Sequence, residues 1–154
     1  MFDPISGLPL HPLVVHATVV LVPLAGLLVA GAAAWPRLRR WAGWLPGALS
    51  VLAALLAWLT VLAGEEFERQ LGVSVTEHAA AGRALRVWAS ALALVGLAVS
   101  WWAHRTRTDR AAVPRPVAAV IVAAGLVVGL AAVVASVQAG HSGAESVWGG
   151  VANP

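Results

Sequence analysis

The chain has no cysteine, no lysine and no tyrosine, and only 11% of its 154 residues are charged. Without cysteine there is no disulfide, no thiolate metal site and no covalent c-type haem attachment, whereas a non-covalent cofactor stays open. Scarce charge beside 60% hydrophobic residues excludes the balance of a soluble globular domain. Gly-rich phosphate loops, Walker motifs and nucleophile elbows are also missing, and the Gly-rich tail GHSGAESVWGG lacks the strand that a nucleotide site needs. No nucleophile, base and orienter match by spacing, so an enzyme acting on its own is not expected. No internal repeat or charge at mid-membrane offers a transport route either.

Four long apolar runs are present, at 13–34, 43–63, 85–103 and 117–139. Each has about the 20 residues that cross roughly 30 Å of hydrocarbon at 1.5 Å per residue. The spacing therefore predicts an all-α integral membrane four-helix bundle, one domain over 1–154, with helices at about 13–34, 43–63, 76–104 and 116–139. The first run follows Asp3 and no positive residue, so despite AGAAA before Trp35 it reads as a retained helix and not a signal peptide. All ten basic residues besides histidine are arginine, and seven cluster in two connections: Arg37, Arg39 and Arg40, then Arg105, Arg107, Arg110 and Arg115. The positive-inside rule makes those connections cytoplasmic and both termini extracytoplasmic, in a bacterial cytoplasmic membrane. Asp3, Glu65, Glu66, Glu68, Glu77 and Glu145 fall at the outer end. The basic excess thus reports topology against anionic lipid, and nucleic acid is not an expected partner. Trp35, Trp41, Trp44, Trp101 and Trp102 read as anchors at the inner boundary, Trp148 as one at the outer.

Four of five histidines, His11, His16, His78 and His141, fall at the outer end. Pro12 suits a first helical turn, which sets His16 about one turn inside, where an imidazole needs a partner. Ser74 and Glu77 have the form of a capping box, so the third helix starts near Val75. His78, Gly82 and Arg86 then share a stripe, and a glycine one turn from a histidine leaves room for a flat macrocycle. Arg83 and Arg86 either snorkel to the boundary and pair with Glu65, Glu66 or Glu68, or clamp an anionic group such as a propionate. His141 follows Gly140, a candidate left-handed helix end, and reads as able to fold back over the mouth. His104 lies at the wrong end to join. Any single histidine reads most simply as a hydrogen-bonding loop tether; four at one end indicate a site.

Three chemistries fit those residues. Haem b needs two facing imidazoles, small residues and cations, met by His16 and His78 as axial pair, His141 as neighbour or alternative ligand, and Gly82, Arg83 and Arg86. A Cu, Zn or Fe ion needs three or four converging donors, from His11, His16, His78, His141 and Glu65. A proton or quinone site needs only a histidine and a carboxylate. A cofactor-free accessory subunit of a larger membrane complex is the reading from another class. Gly125 and Gly129 permit such helix contact, although packing inside the bundle is their commoner use.

At GLPLHPLVVHATVVLVPLA, GEEFE, EHAAAG and GHSGAESVW the chain resembles short actinobacterial members of the membrane family called domain of unknown function 2231. The resemblance covers nearly the whole chain. It implies a four-helix membrane domain whose pattern includes the positions of His11, His16, Glu65, His78 and His141. Some members resemble fusions to Rieske-type iron–sulfur domains, which implies an electron-transfer setting. The combined expectation is a cytochrome-like protein that holds haem b at the outer end and exchanges electrons with a quinol or a respiratory, Rieske-type partner.

Overall fold

The computed structural model describes residues 10–72, 76–108 and 112–152, all helical apart from short turns. The helices are α1 (Leu10–Ala34), α2 (Pro36–Ala42), α3 (Leu45–Leu71), α4 (Thr76–Arg107) and α5 (Arg115–Ala152). Four have the length and apolar composition to cross a membrane, over Val14–Ala34, Leu45–Gln70, Thr76–Arg107 and Arg115–Ser146. Short α2 turns the chain from the first span to the second. Pro36 opens it at a position where a missing N–H costs nothing, and Gly43 closes it at φ 58°, a conformation that glycine adopts without strain.

Helices α3 and α5 run well past their expected C-terminal ends. Beyond Ala63, α3 continues through Glu65, Glu66 and Glu68 to Leu71, then stops at Gly72 in the left-handed region. The expected connection between 63 and 76 is therefore helix as far as Leu71. Glu66 supports it, pairing with Arg69 at 2.8 Å and accepting a hydrogen bond from Gln70 Nε2 at 3.1 Å. Ser74 and Val75 lie outside the described residues, so the capping box does too. The expected helix end at Gly140 is not there. The positive-φ glycines among the described residues are Gly43 and Gly72, and α5 passes through Gly140 to Ala152. A glycine in a helix costs only about 1 kcal/mol relative to alanine, less than the intrahelical bonds on either side return.

The four long helices form a ring in which α1 packs on α3 and α5, and α4 packs on the same two. Hence α1 and α4 face each other across a diagonal. In lipid, close backbone approach drives association more than apolar burial does, and the packing surfaces here are alanine and glycine. A Cβ on Gly26 would lie 2.6 Å from the Gly129 carbonyl oxygen, and one on Gly129 equally near that of Gly26. Gly125 abuts Ala33 in the same way. The spaced glycines of α5 thus join it to α1 inside the bundle. On the opposite side Gly96 of α4 seats against Ser50 and Pro46 of α3, and the Gly47 amide donates to Ser100 Oγ at 2.8 Å.

Pro23 lies inside α1 and leaves the Val19 carbonyl without its usual amide donor. Ser136 Oγ of α5 donates to that carbonyl at 3.4 Å, which supplies the missing partner in a region without water. At the arginine-rich end, Arg39 turns inward. It is 6% exposed, its Nη1 donates to the carbonyls of Ala32 (3.2 Å) and Ala33 (2.9 Å), and its guanidinium lies 3.4 Å from the centre of the Trp102 ring. Burial, then neighbouring Arg40, lowers its pKa, but a guanidinium remains charged at neutral pH and suits the negative end of α1. Arg107 similarly donates to the carbonyls of Arg40 and Trp41, tying α2 to α4. Trp102 is therefore Arg39's packing partner, whereas Trp35, Trp41, Trp44 and Trp101 are exposed, as anchors are.

Replacing Gly129 with leucine should force α1 and α5 apart. We expect a loss of about 1–3 kcal/mol, read as earlier thermal unfolding in detergent, since overpacking a close contact carries costs of that order. Gly140→Ala, with no atom within 4 Å of its added carbon, should match or exceed the parent.

Candidate functional site

A cavity of about 620 Å³ opens at the end of the bundle opposite the arginine-rich connections. All four long helices supply its walls, from Val15 to Val19 of α1, Ala57 to Glu68 of α3, His78 to Leu85 of α4 and Ala139 to Trp148 of α5. It arises where α3 and α4 continue past the closely packed middle and their small residues leave space between the ring members. The lining is mostly apolar, with Val19, Val61, Phe67 and Leu85 among it. That size and character match small-molecule and cofactor sites generally.

The polar groups have assigned places. At the floor, Thr18 Oγ1 donates to the Val14 carbonyl at 3.0 Å and lies 2.7 Å from Thr60 Oγ1. Across the mouth, exposed His16 of α1 and half-buried His78 of α4 come from the diagonal pair of helices and line the same space. Gly82 and Arg83 of α4 and Glu65 and Glu68 of α3 complete it.

His78 is held in a defined orientation. Its Nδ1 is 3.2 Å from Ser142 Oγ, and that hydroxyl donates its proton to the Ala139 carbonyl at 3.1 Å. With that proton on the Ala139 carbonyl, the neutral tautomer that fits the contact donates from Nδ1–H. A ring nitrogen fixed by an outer hydrogen bond is the common preparation of a ligating histidine. Gly143 makes it possible: a Cβ there would come within 3.0 Å of His78 Cε1. Gly82 is roomier, the nearest atom to an added Cβ being Val61 Cγ2 at 3.7 Å.

Of the residues that the sequence singles out, His16, His78, Gly82, Arg83 and Glu65 share the cavity. His141 and Arg86 are not in its lining. His141 is 74% exposed and its Nε2 sits 3.4 Å from Glu145 one turn on, because α5 stays helical and carries that ring outward instead of folding over the mouth. Arg86 lies over the Trp58 ring at 4.4 Å. His11 is in the first turn of α1, but its side chain lies outside the described residues. His104 is at the opposite end, 5.6 Å from the Trp44 ring. Among the described residues no group of three or more His, Cys, Asp or Glu is placed to hold a metal ion. Ser142 and Gly143, which orient His78, were not singled out for that role: their shared face with His78 follows only once α5 is known to continue past Gly140.

A family model described as a predicted membrane protein, DUF2231, matches residues 7–153. The chain belongs to the DUF2231 family. No curated protein and no solved structure matches it. The matched stretch includes every residue that lines the cavity.

Gly143→Val in this DUF2231 chain should displace His78 and break its contact with Ser142. Nitrogen NMR of the imidazole should then lose the single Nδ1–H tautomer, whereas Gly82→Ala should leave the spectrum unchanged. An unaltered tautomer in Gly143→Val would show that α5 does not orient the ring.

Proposed function

We propose that this protein is a membrane cytochrome-like electron carrier that binds haem b in the cavity, with His16 and His78 as axial ligands. The observation that carries the reading is that two imidazoles from diagonally opposed helices line one apolar cavity of about 620 Å³. Diagonal helices are the pair that a flat ligand can sit between, whereas adjacent helices in this bundle are in contact through glycine and alanine. The contact of His78 Nδ1 with Ser142 adds a second support, since an outer hydrogen bond of that kind orients a ligating imidazole.

Haem b bound by two imidazoles supplies one-electron transfer. The chain's own residues do the rest. Valine, leucine and phenylalanine walls exclude water and lower the local dielectric. Gly82 lets a planar group approach the α4 backbone, and Arg83, one residue further, offers a cation to an acidic substituent. Glu65 and Glu68 add negative charge, which favours whichever redox form carries more positive charge and so lowers the potential of a bound group. A quinol or a respiratory partner with an iron–sulfur domain is the source of electrons in this reading.

The reading also includes orientation. Arg37, Arg39, Arg40, Arg105, Arg107 and Arg115 all belong to the end opposite the cavity, which supports a cytoplasmic basic end, a cavity on the outer side of a bacterial cytoplasmic membrane and both termini outside.

Detergent-purified protein should show a Soret band with α and β bands that sharpen on dithionite reduction, and about one iron per chain by elemental analysis. His16→Ala and His78→Ala should each lose most of the bound haem, while His141→Ala should keep it. Full haem occupancy in either of the first two variants would sink the axial assignment, and a colourless parent protein purified with haem supplied would sink the function. Orientation has its own check. The cysteine-free chain accepts single reporters, so Thr76→Cys should react with a membrane-impermeant maleimide in intact cells, and Thr108→Cys only after permeabilisation.

A further inference from the structure

Arg86 is the cation for which the cavity has no use. It lies fifteen residues before Trp101 on α4, about 22 Å at 1.5 Å per residue. With Trp101 at one boundary of a hydrocarbon core about 30 Å thick, the Arg86 backbone sits roughly 8 Å inside the other. Among the described residues Arg86 makes no ion pair with a carboxylate. A charge at that depth is costly unless neutralised.

What surrounds it is organised. The guanidinium lies 4.4 Å from the centre of the Trp58 ring on α3. Trp58 Nε1 donates to Ser90 Oγ at 3.1 Å, and Ser90 donates to the Arg86 carbonyl at 2.8 Å, so ring and arginine are held as one unit. The guanidinium carbon lies over the ring, and a guanidinium's N–H donors lie in its own plane. Side chains lean toward a helix's N-terminus, which for α4 is the cavity end, so the guanidinium reaches toward the nearer headgroup layer. Toward the membrane centre, Leu55 one turn before Trp58 is 63% exposed, and Leu94 one turn beyond Ser90 is 72% exposed. Arg83, one turn closer to the boundary, lines the cavity instead.

We propose that Arg86 and Trp58 bind the phosphate of an anionic phospholipid whose acyl chains lie along Leu55 and Leu94 on the outer face of α3 and α4. The site is separate from the cavity and independent of what the cavity holds. A phosphodiester matches the planar fork of the guanidinium. The lipid must be anionic because a zwitterionic headgroup brings its own cation and leaves the arginine's charge unbalanced. The apolar flanks select a lipid phosphate over a free one.

The test is native mass spectrometry of the delipidated full-length protein titrated with phosphatidylglycerol or phosphatidylcholine. It is run in an Arg37→Gln, Arg40→Gln background that removes exposed cations from the opposite end. Phosphatidylglycerol should bind at least about tenfold more tightly than phosphatidylcholine, millimolar inorganic phosphate should not displace it, and Arg86→Gln should abolish the preference. Trp58→Leu keeps the arginine and should weaken binding by about two- to fivefold, the loss expected for a cation–π contact. Unchanged binding in Arg86→Gln, equal retention of phosphatidylcholine or displacement by inorganic phosphate would each overturn the site. If Arg86→Gln does not fold, unchanged binding in Trp58→Leu does so.

Discussion

Close approach of α1 to α5 through Gly26 and Gly129 is the contact on which the rest of the bundle depends. Lipid provides no hydrophobic drive to bring helices together, so association must come from packing and from polar groups that find one another. Here the two backbones meet with no side chain between them, each glycine facing the other's carbonyl. That closeness brings Ser136 within reach of the carbonyl that Pro23 leaves open, which in turn makes a proline tolerable in the middle of a span. On the other side of the ring, Gly47, Gly96, Ser50 and Ser100 perform the same service for α3 and α4.

The two ends of this tight middle are chemically distinct. At the basic end, Arg39 turns inward onto the buried carbonyls of Ala32 and Ala33, and Arg107 bonds at the surface to that of Trp41, closing the bundle with charge-assisted hydrogen bonds. At the other end the helices continue with valine, alanine and glycine, and an open cavity results. A closed basic end and an open acidic end make the protein a shallow cup in the membrane. A group held there would be reached from one side only.

Tryptophan illustrates how one residue type divides by depth. Exposed rings near the basic boundary anchor the protein, Trp102 packs under Arg39, and Trp58 steadies an arginine within the apolar length of α4. Trp148 belongs to the cavity wall. Hydropathy assigns the same value to all of them; only the neighbour distinguishes an anchor from a clamp.

Spans, ring-forming helix number and the separation of charge between the ends were legible in the sequence, because length against bilayer thickness and the position of arginine relative to apolar runs are one-dimensional quantities. His16, His78, Gly82, Arg83 and Glu65 were legible as residues of one end for the same reason. Their company in one cavity was not, since helix rotation depends on which faces pack, and the glycines that set those faces pair across more than ninety residues, Gly26 with Gly129. Continuation of α5 past Gly140, where intrahelical bonding outweighs a weak local stop signal, moved His141 outward and brought Ser142 and Gly143 onto His78. Arg39 and Arg86, alike in composition, were parted from the other arginines only by what they touch: buried carbonyls and Trp102 for one, Trp58 at the lipid face for the other.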